Sequence, residues 1–406
     1  MEIIYILLTI IEFVLLIYLG FAAIYILIFA LAGKFLQSKN TYKTYTSKIR
    51  RFAVLIPAYK EDNVIVDVAH EALKQNYPKN SFDVVIIADS FKPETIMKLK
   101  QLPIILVEVS FEKSTKSKAL NTAMDSLGDN YDVALVLDAD NIMNADFITK
   151  INEAFNNGFE IVQGHRVAKN TNTSFAILDA ISEELNNHIF RKGHRSIGLS
   201  SALIGSGMAF DYPMFKQRML QINAVGGFDK ELELTLLRDR KKIEFLDSAL
   251  VYDEKVQKIE VFDNQRKRWL SAQFVYFKRF FLSGIYHLIF KGNIDFFDKV
   301  YQMISPPRIL LIGVSFIFSL VALITNLLFP ENLFLFQHLM YWLIILFVVV
   351  FAFILSIPIK FYNRKTLNAL LTLPIAFWSM FSSLFKLKGA NKKFIHTQHG
   401  NIENEQ

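Results

Sequence analysis

The sequence predicts an α/β domain built on a mostly parallel sheet and held between membrane-length apolar segments. Three features predict it. Short branched apolar runs alternate with helical patterns between residues 51 and 270. Long stretches almost free of charge flank that region. Two acids, Asp138 and Asp140, close a run that reads as a strand covered on both faces. The expected strands are Phe52–Pro57, Asp83–Ala88, Ile104–Val109 and Val133–Leu137. Helical patterns occupy Asn63–Gln75, Pro93–Lys100, Lys118–Leu127 and Ala145–Asn156. Alternation of this kind sets strands parallel, with helices on both faces.

From Ile3 to Gly33 only Glu12 is charged. Phe13–Gly33 alone would form about 31 Å of helix, enough to cross a bilayer with Glu12 near the outer interface. The stretch is too long for a cleaved signal peptide, and no small-residue cleavage site follows it. Lys34, Lys39, Lys43, Lys48, Arg50 and Arg51 come next, and by the positive-inside rule they place the following domain in the cytoplasm. Beyond Trp269, Gln273–Phe290 mixes aromatics with Lys278, Arg279 and His287 and reads as an interfacial helix, as does Ile294–Ile304. After the breaker Ser305-Pro306-Pro307, Ile309–Phe329 and Phe334–Ile357 are long enough to span, joined by Pro330-Glu331-Asn332. Lys360, Arg364 and Lys365 return the chain inside. Pro374 interrupts Leu367–Phe385, and Lys386, Lys388, Lys392 and Lys393 follow, so that segment reads as re-entrant or interfacial, with a third C-terminal span the alternative. The expected division is an N-terminal membrane helix (1–33), a basic linker (34–50), a cytoplasmic domain (51–270), interfacial helices (271–305), a C-terminal membrane region (306–388) and a polar tail (389–406). His396 and His399 belong to that solvated tail.

The net charge of +7 arises from residues clustered beside membrane segments, where they meet anionic lipid, so nucleic acid is not an expected partner. Without cysteine the chain has no disulfides, thiolate metal sites or cysteine nucleophile.

Four features converge on the C-terminal edge of the expected sheet, where open α/β sheets bind ligands. The first strand ends in Pro57-Ala58-Tyr59-Lys60-Glu61. The second ends in Ala88-Asp89-Ser90. Lys116-Ser117-Lys118 opens a helix whose free N–H groups favour anions. Asp138-Ala139-Asp140 supplies two carboxylates that repel one another unless a cation lies between them. An acid for a base edge or ribose, a lysine for phosphate and two acids for a divalent ion make a nucleotide-diphosphate site.

In this order the chain resembles the membrane-bound family-2 glycosyltransferases, inverting enzymes of the GT-A fold that include cellulose, chitin, hyaluronan and poly-N-acetylglucosamine synthases. The resemblance continues through Gly205-Ser206-Gly207-Met208-Ala209-Phe210, Gly226-Gly227-Phe228-Asp229 and Gln265-Arg266-Lys267-Arg268-Trp269. The last of these matches the Gln-x-x-Arg-Trp signature of the processive members. It implies that Asp89 contacts the nucleobase, and that Asp138 and Asp140 contact the nucleotide and a Mg2+ or Mn2+ ion. Lys116, or alternatively Lys118, approaches the diphosphate. Gln265 and Arg268 hold the leaving group, and Trp269 stacks under the acceptor sugar; a membrane-interface anchor is the other reading of this indole. The family's Thr-Glu-Asp is missing. Alignment puts Glu231 in the general-base slot, with Asp229 and Glu233 as alternatives. Glu183, Asn186, Asn187 and His188 either line the acceptor groove or form a polar helix face.

The expected reaction is inverting transfer from a nucleotide sugar, UDP-linked by resemblance, to a glycan or lipid acceptor at the inner face of the plasma membrane. Gln265–Trp269 implies growth of a β-linked polysaccharide, with a homo-oligomer or export partner to help carry it. The alternatives are a non-processive transferase acting on a membrane lipid and a non-catalytic protein that binds nucleotide sugar.

Overall fold

The computed structural model describes residues 2–36, 47–222, 224, 226–257, 259–328, 338–385 and 400. Lys39, Lys43, the Pro330-Glu331-Asn332 link and the tail residues Lys386, Lys388, Lys392, Lys393, His396 and His399 lie outside them.

The chain opens with α1 (Glu2–Phe35), then β1 (Phe52–Tyr59), α2 (Ile65–Ala72), β2 (Phe82–Asp89), α3 (Pro93–Leu99) and β3 (Ile105–Val109). Next come α4 (Lys116–Leu127), β4 (Val133–Val136), the short β5 (Ile142–Met143), α5 (Phe147–Asn156) and β6 (Ile161–Ala168). α6 (Ser174–Asn186) runs into a π-helical turn, Asn187–Gly193, and α7 (His194–Ser196). β7 (Met208–Asp211), α8 (Tyr212–Met219), α9 (Phe228–Arg238) and β8 (Glu244–Asp253) complete the domain. The sheet order is β3-β2-β1-β4-β7-β6-β8-β5. β3, β2, β1 and β4 are mutually parallel, as is β6 with β8, whereas β7 runs antiparallel to β4 and β6 and β5 runs antiparallel to β8.

β1, β2 and β4 are apolar at nearly every position because both of their faces are covered. Phe52, Val54, Ile56, Ile86 and Leu135 meet Val68 of α2, Leu99 of α3 and Ile151 of α5. The alternate residues Leu55, Val85, Ile87 and Val136 meet Leu120 of α4, Phe215 of α8 and Leu232 of α9. α4 shows why the sequence breaks where it does. The Thr115 hydroxyl accepts from the Lys118 N–H at its start, and Gly128 ends it at φ 71°. Between them Leu120, Ala123 and Met124 are fully buried, so Leu120→Ala would cost about 2–5 kcal/mol.

α10 (Ile259–Lys291) passes through residue 270 without a break. Ala272, Tyr276, Phe280 and Gly284 recur every fourth residue on its buried face, which carries one helical phase from the signature Gln265–Trp269 into the interfacial stretch. α11 (Ile294–Gln302), α12 (Arg308–Leu328) and α13 (Leu339–Ser356) follow. α14 (Arg364–Leu370) and α15 (Leu373–Leu384) meet at a 43° bend, with Pro374 in the first turn of α15. Among the described residues three helices, within Ile6–Phe35, Arg308–Leu328 and Leu339–Ser356, are long and apolar enough to cross a membrane, or four if the bent pair is one span. They pack through Leu19, Ala22, Ile26, Leu311, Trp342 and Val349. Glu12 is turned into this bundle rather than outward. It is 6% exposed and accepts from Trp342 Nε1 at 3.0 Å, with His338 Nδ1 at 3.5 Å.

Candidate active site

The parallel strands deliver their ends to one edge. Lys60, at φ 56°, turns the chain out of β1 and donates its N–H to the Asp89 carbonyl at 3.1 Å, pinning the ends of β1 and β2 together. Asp89 is 3% exposed and its carboxylate accepts from Ser90 Oγ at 2.9 Å. Pro57, Ala58 and Tyr59 lie in register with Ile87, Ala88 and Asp89, and Glu61 is buried at the turn that feeds α2.

Lys116 is the lysine that faces the acid pair. Its Nζ donates to Asp138 Oδ1 at 2.5 Å and to the Gly205 carbonyl at 2.7 Å. Lys118 is exposed and caps the Lys113 carbonyl instead. The two acids divide their work. Asp138 is 36% exposed at its side chain and opens to the cleft. Asp140 is 3% exposed and accepts the Glu254 N–H at 2.9 Å and Asn141 Nδ2 at 3.3 Å. Ala139 is buried between them. Behind the pair, Asn141 bonds Asp253 at 3.0 Å and receives the Ser206 hydroxyl, which also accepts the Asp138 N–H at 3.1 Å. Ser206 lies between Gly205 and Gly207, both left-handed at φ 85° and 61°, a backbone that other residues adopt only with strain.

The three acids of α9 diverge. Asp229 stands against Gly205, where a methyl group would meet its carboxyl carbon at 3.8 Å. It keeps some accessible surface yet lies deep enough that burial raises its pKa, against the lowering pull of Lys230 and Lys116. Glu231 points the other way, to Arg279 at 2.5 Å and Tyr276 at 3.5 Å. Glu233 is fully buried, bonded to Lys299 at 2.8 Å and accepting the Leu203 N–H at 3.2 Å.

From α10, Arg268 reaches toward this centre. Burial lowers its pKa while the charges of Asp138 and Asp229 pull it back up. Trp269 is 40% exposed and Arg266 lies over its ring at 4.4 Å, bonded to Asp179 at 2.6 Å. Gln265 Oε1 is buried without a hydrogen-bond partner. Glu183, Asn186, Asn187 and His188 are engaged in the interior. Glu183 pairs with Arg166 at 2.7 Å and Arg191 at 3.3 Å, and Asn187 accepts from Arg191 at 2.6 Å. Asn186 accepts from Arg308, and a His188 ring nitrogen lies 2.9 Å from the Ala30 carbonyl of α1. Burial would raise the pKa of Glu183, but Arg166, Lys255 and Arg191 hold it well below the usual carboxylate range.

The sequence model of the family described as "Glycosyltransferase like family 2" matches residues 50–272, the segment that contains every element of this cleft. The chain belongs to that family. It is therefore a family-2 glycosyltransferase, and its chemistry is sugar transfer from a nucleotide sugar. A search of curated protein sequences returns no match. Among solved structures, the mannosyltransferase PcManGT from Pyrobaculum calidifontis, in complex with GDP-Man and Mn2+, is 13% identical over 87% of this chain and 98% of its own, at a TM-score of 0.47. S. aureus TarS is 12% identical over 84% of this chain and 55% of its own, at 0.41. Glucosyl-3-phosphoglycerate synthase from Mycobacterium tuberculosis, with Mn2+, UDP and glucosyl-3-phosphoglycerate, is 14% identical over 52% and 75%, at 0.37. Likenesses this distant carry nothing about the chemistry of the glycosyltransferase described here.

Among the described residues no three histidine or acidic side chains converge on one point. The donor set of Asp138 and Asp140 fits a hard divalent cation that takes one or two carboxylates and completes its shell with substrate phosphate and water. Several groups in the glycosyltransferase cleft escaped the sequence reading, namely Arg166, Asn141, Asp253 and Lys255. A charged residue inside β6 was the one available signal, since Arg166 sits in a strand whose neighbours are mostly buried.

Proposed function

We propose that the protein is a membrane-bound inverting glycosyltransferase that moves a sugar from a UDP-linked donor to an acceptor hydroxyl at the cytoplasmic face of the plasma membrane. The observation that carries this reading is the place of Asp229 against Gly205, whose carbonyl accepts from the same Lys116 ammonium that bridges to Asp138, with the Arg268 charge acting on both acids. In it Asp229, rather than Glu231, is the general base. The acceptor oxygen attacks the anomeric carbon from one side, its proton passes to the Asp229 carboxylate, and the carbon–oxygen bond to the diphosphate breaks on the other. Both bonding electrons leave with the diphosphate. Arg268 and Lys116 meet that developing charge with donors already in place. Asp138 and Asp140 would hold a Mg2+ or Mn2+ ion, whose contribution when bound is further neutralisation of the diphosphate. Asp89 and the Pro57–Glu61 turn hold the nucleoside, and Trp269 offers its flat face to the acceptor sugar.

The Gln265–Trp269 signature supports repeated addition, hence a β-linked polysaccharide. A second reading, one sugar added to a membrane lipid, is favoured by the cations gathered around Arg308 at the head of α12. Product length separates them, a ladder supporting the first and a single product the second. The underlying test is release of nucleoside diphosphate by detergent-purified protein with native membranes as acceptor source, across a panel of sugar nucleotides with Mg2+ or Mn2+. Wild type should turn over with at least one donor and Asp140→Asn should not. Silence with every donor would leave a nucleotide-sugar-binding protein instead.

A further inference from the structure

Behind Trp269, where the catalytic domain meets the membrane helices, buried and half-buried cations outnumber the carboxylates paired with them. Arg166, Arg191, Lys255, Arg266 and Arg308 approach one another there from β6, the π-helical turn, the segment after β8, the third turn of α10 and the first of α12. Besides Asp138, three carboxylates form ion pairs with them among the described residues. Glu183 is shared by Arg166 and Arg191, Asp179 pairs with Arg266 at 2.6 Å, and Asp253 pairs with Lys255 at 2.7 Å. Asp138, 3.9 Å from Arg166, is already matched by Lys116. Among the described residues the five cations therefore outnumber these three carboxylates by two.

Arg308 is the least matched of the five. Its guanidinium donates to Asn186 Oδ1 and to the Ser182 carbonyl and hydroxyl at 3.2 and 3.0 Å, all neutral oxygens. Among the described residues no carboxylate forms an ion pair with it. Arg266 adds a second signal. Its side chain is only 11% exposed, its ring-like fork is held between Phe262 and Trp269, and its Nε is buried with no hydrogen-bond partner. Arg308 is half-buried with no counter-ion among the described residues, a charge that costs less once an anion joins it, and a planar guanidinium suits phosphate oxygens two at a time.

Position narrows the anion. Arg308 is the first residue of a helix long and apolar enough to cross a membrane, so it lies at headgroup height if α12 spans. An apolar cluster of Val256, Phe262 and Ala376, with Ile309 against it, borders the cations and is built partly by the membrane helices α12 and α15. Trp269, the sugar platform, is on the other side of Arg266. We propose that Arg308 and Arg266 form an acceptor-side site for a lipid phosphate or diphosphate, which anchors a lipid-borne acceptor so that its sugar end lies over Trp269. The phosphate is a handle and takes no part in bond making. This rests on the reading of the cleft as a sugar-transfer site.

The test uses the full chain in nanodiscs and measures binding of a polyprenyl phosphate against the polyprenol of equal length, by native mass spectrometry. The phosphate should bind at least about tenfold more tightly, as expected for a charge-assisted bidentate contact. Arg308→Gln and Arg266→Gln should each erase most of that preference, and Arg308→Lys should restore part of it. Binding of UDP with Mg2+ should be the same in wild type and Arg308→Gln. Equal affinity for phosphate and alcohol overturns the proposal, and needs no variant to fold. So does displacement of the lipid phosphate by UDP, which would assign the cations to the donor. An acidic oligosaccharide that binds in an Arg308-dependent way while the lipid phosphate does not would also overturn it. Failure of sugar transfer with every donor would sink the catalytic reading and still leave the phosphate preference to be measured.

Discussion

An acid can act as a base only from the helix face that looks at the acceptor. On an α-helix, residues two apart point about 200° from each other and residues four apart about 40°. Asp229 and Glu233 therefore share the face of α9 toward the 203–205 loop, and Glu231 takes the face toward α10. Asp229→Asn should lower transfer by about 10²–10⁴-fold with UDP binding retained. Glu231→Gln should keep transfer and lose about 1 kcal/mol of stability as its bond to Arg279 weakens. The reverse pattern would restore Glu231 to the base. Burial raises the pKa of Asp229, so the fold resists its ionised form, and above that raised value the charge costs stability. Asp229→Asn should accordingly melt at a higher temperature than wild type at pH 7, and the acid limb of the wild-type rate should lie above the ordinary aspartate value of 3.8. The donor half of the cleft was legible because acids and lysines at the ends of apolar runs mark a sheet edge. The proposed base was not. The sequence puts Glu231 in the slot with Asp229 and Glu233 as alternatives, and the case for Asp229 rests on the helix phase that Phe228, Leu232 and Leu236 give by packing in the core.

Among the elements, α9 and α11 are joined by the Glu233–Lys299 pair, whose side chains are 0% and 1% exposed. Lys299→Met would strand a buried carboxylate and should cost about 3–5 kcal/mol in chemical denaturation, most of it recovered in the Glu233→Leu/Lys299→Met double variant. A cost that stays additive would show that the two side chains act separately. β6, α6 and β8 are tied by His165, bonded to Glu184 and Asp247 at 3.0 Å each. Burial alone would lower its pKa, but those two carboxylates raise it from 6.5 to about 9. A raised histidine contributes stability fully below its unfolded pKa and loses it as pH climbs through the folded one. Unfolding at a series of pH values should therefore show an alkaline decline between about pH 6.5 and about 9, absent in His165→Gln. The first four strands were readable to within two residues because turn residues bound each apolar run. β5 has only two residues and β7 four, and β8 carries Glu244 and Asp247, matched by Arg195 and His165 from distant segments. A local pattern does not register partners that far away.

At the scale of the molecule, the chain should remain in the membrane pellet through alkaline carbonate washing and leave it in detergent, as expected if α1, α12 and α13 span. Release by carbonate would reduce them to surface contacts. Apolar length made these helices legible in the sequence. Their fusion to the soluble domain was not, because it depends on small residues. A methyl group on Gly193 would strike the Phe29 carbonyl, and one on Gly33 would come within 2.9 Å of the His188 carbonyl. Phe29 stacks on His194 at 3.6 Å, and Tyr25 joins His194, Asp298 and Gln302 in one buried polar knot. At 34 residues α1 measures about 51 Å, against about 30 Å of hydrocarbon, so its last turns form a strut inside the domain rather than a tether beneath it. If these helices span, the cleft is thereby carried at a single altitude above the bilayer, and an acceptor is met or missed according to where its reactive end rides.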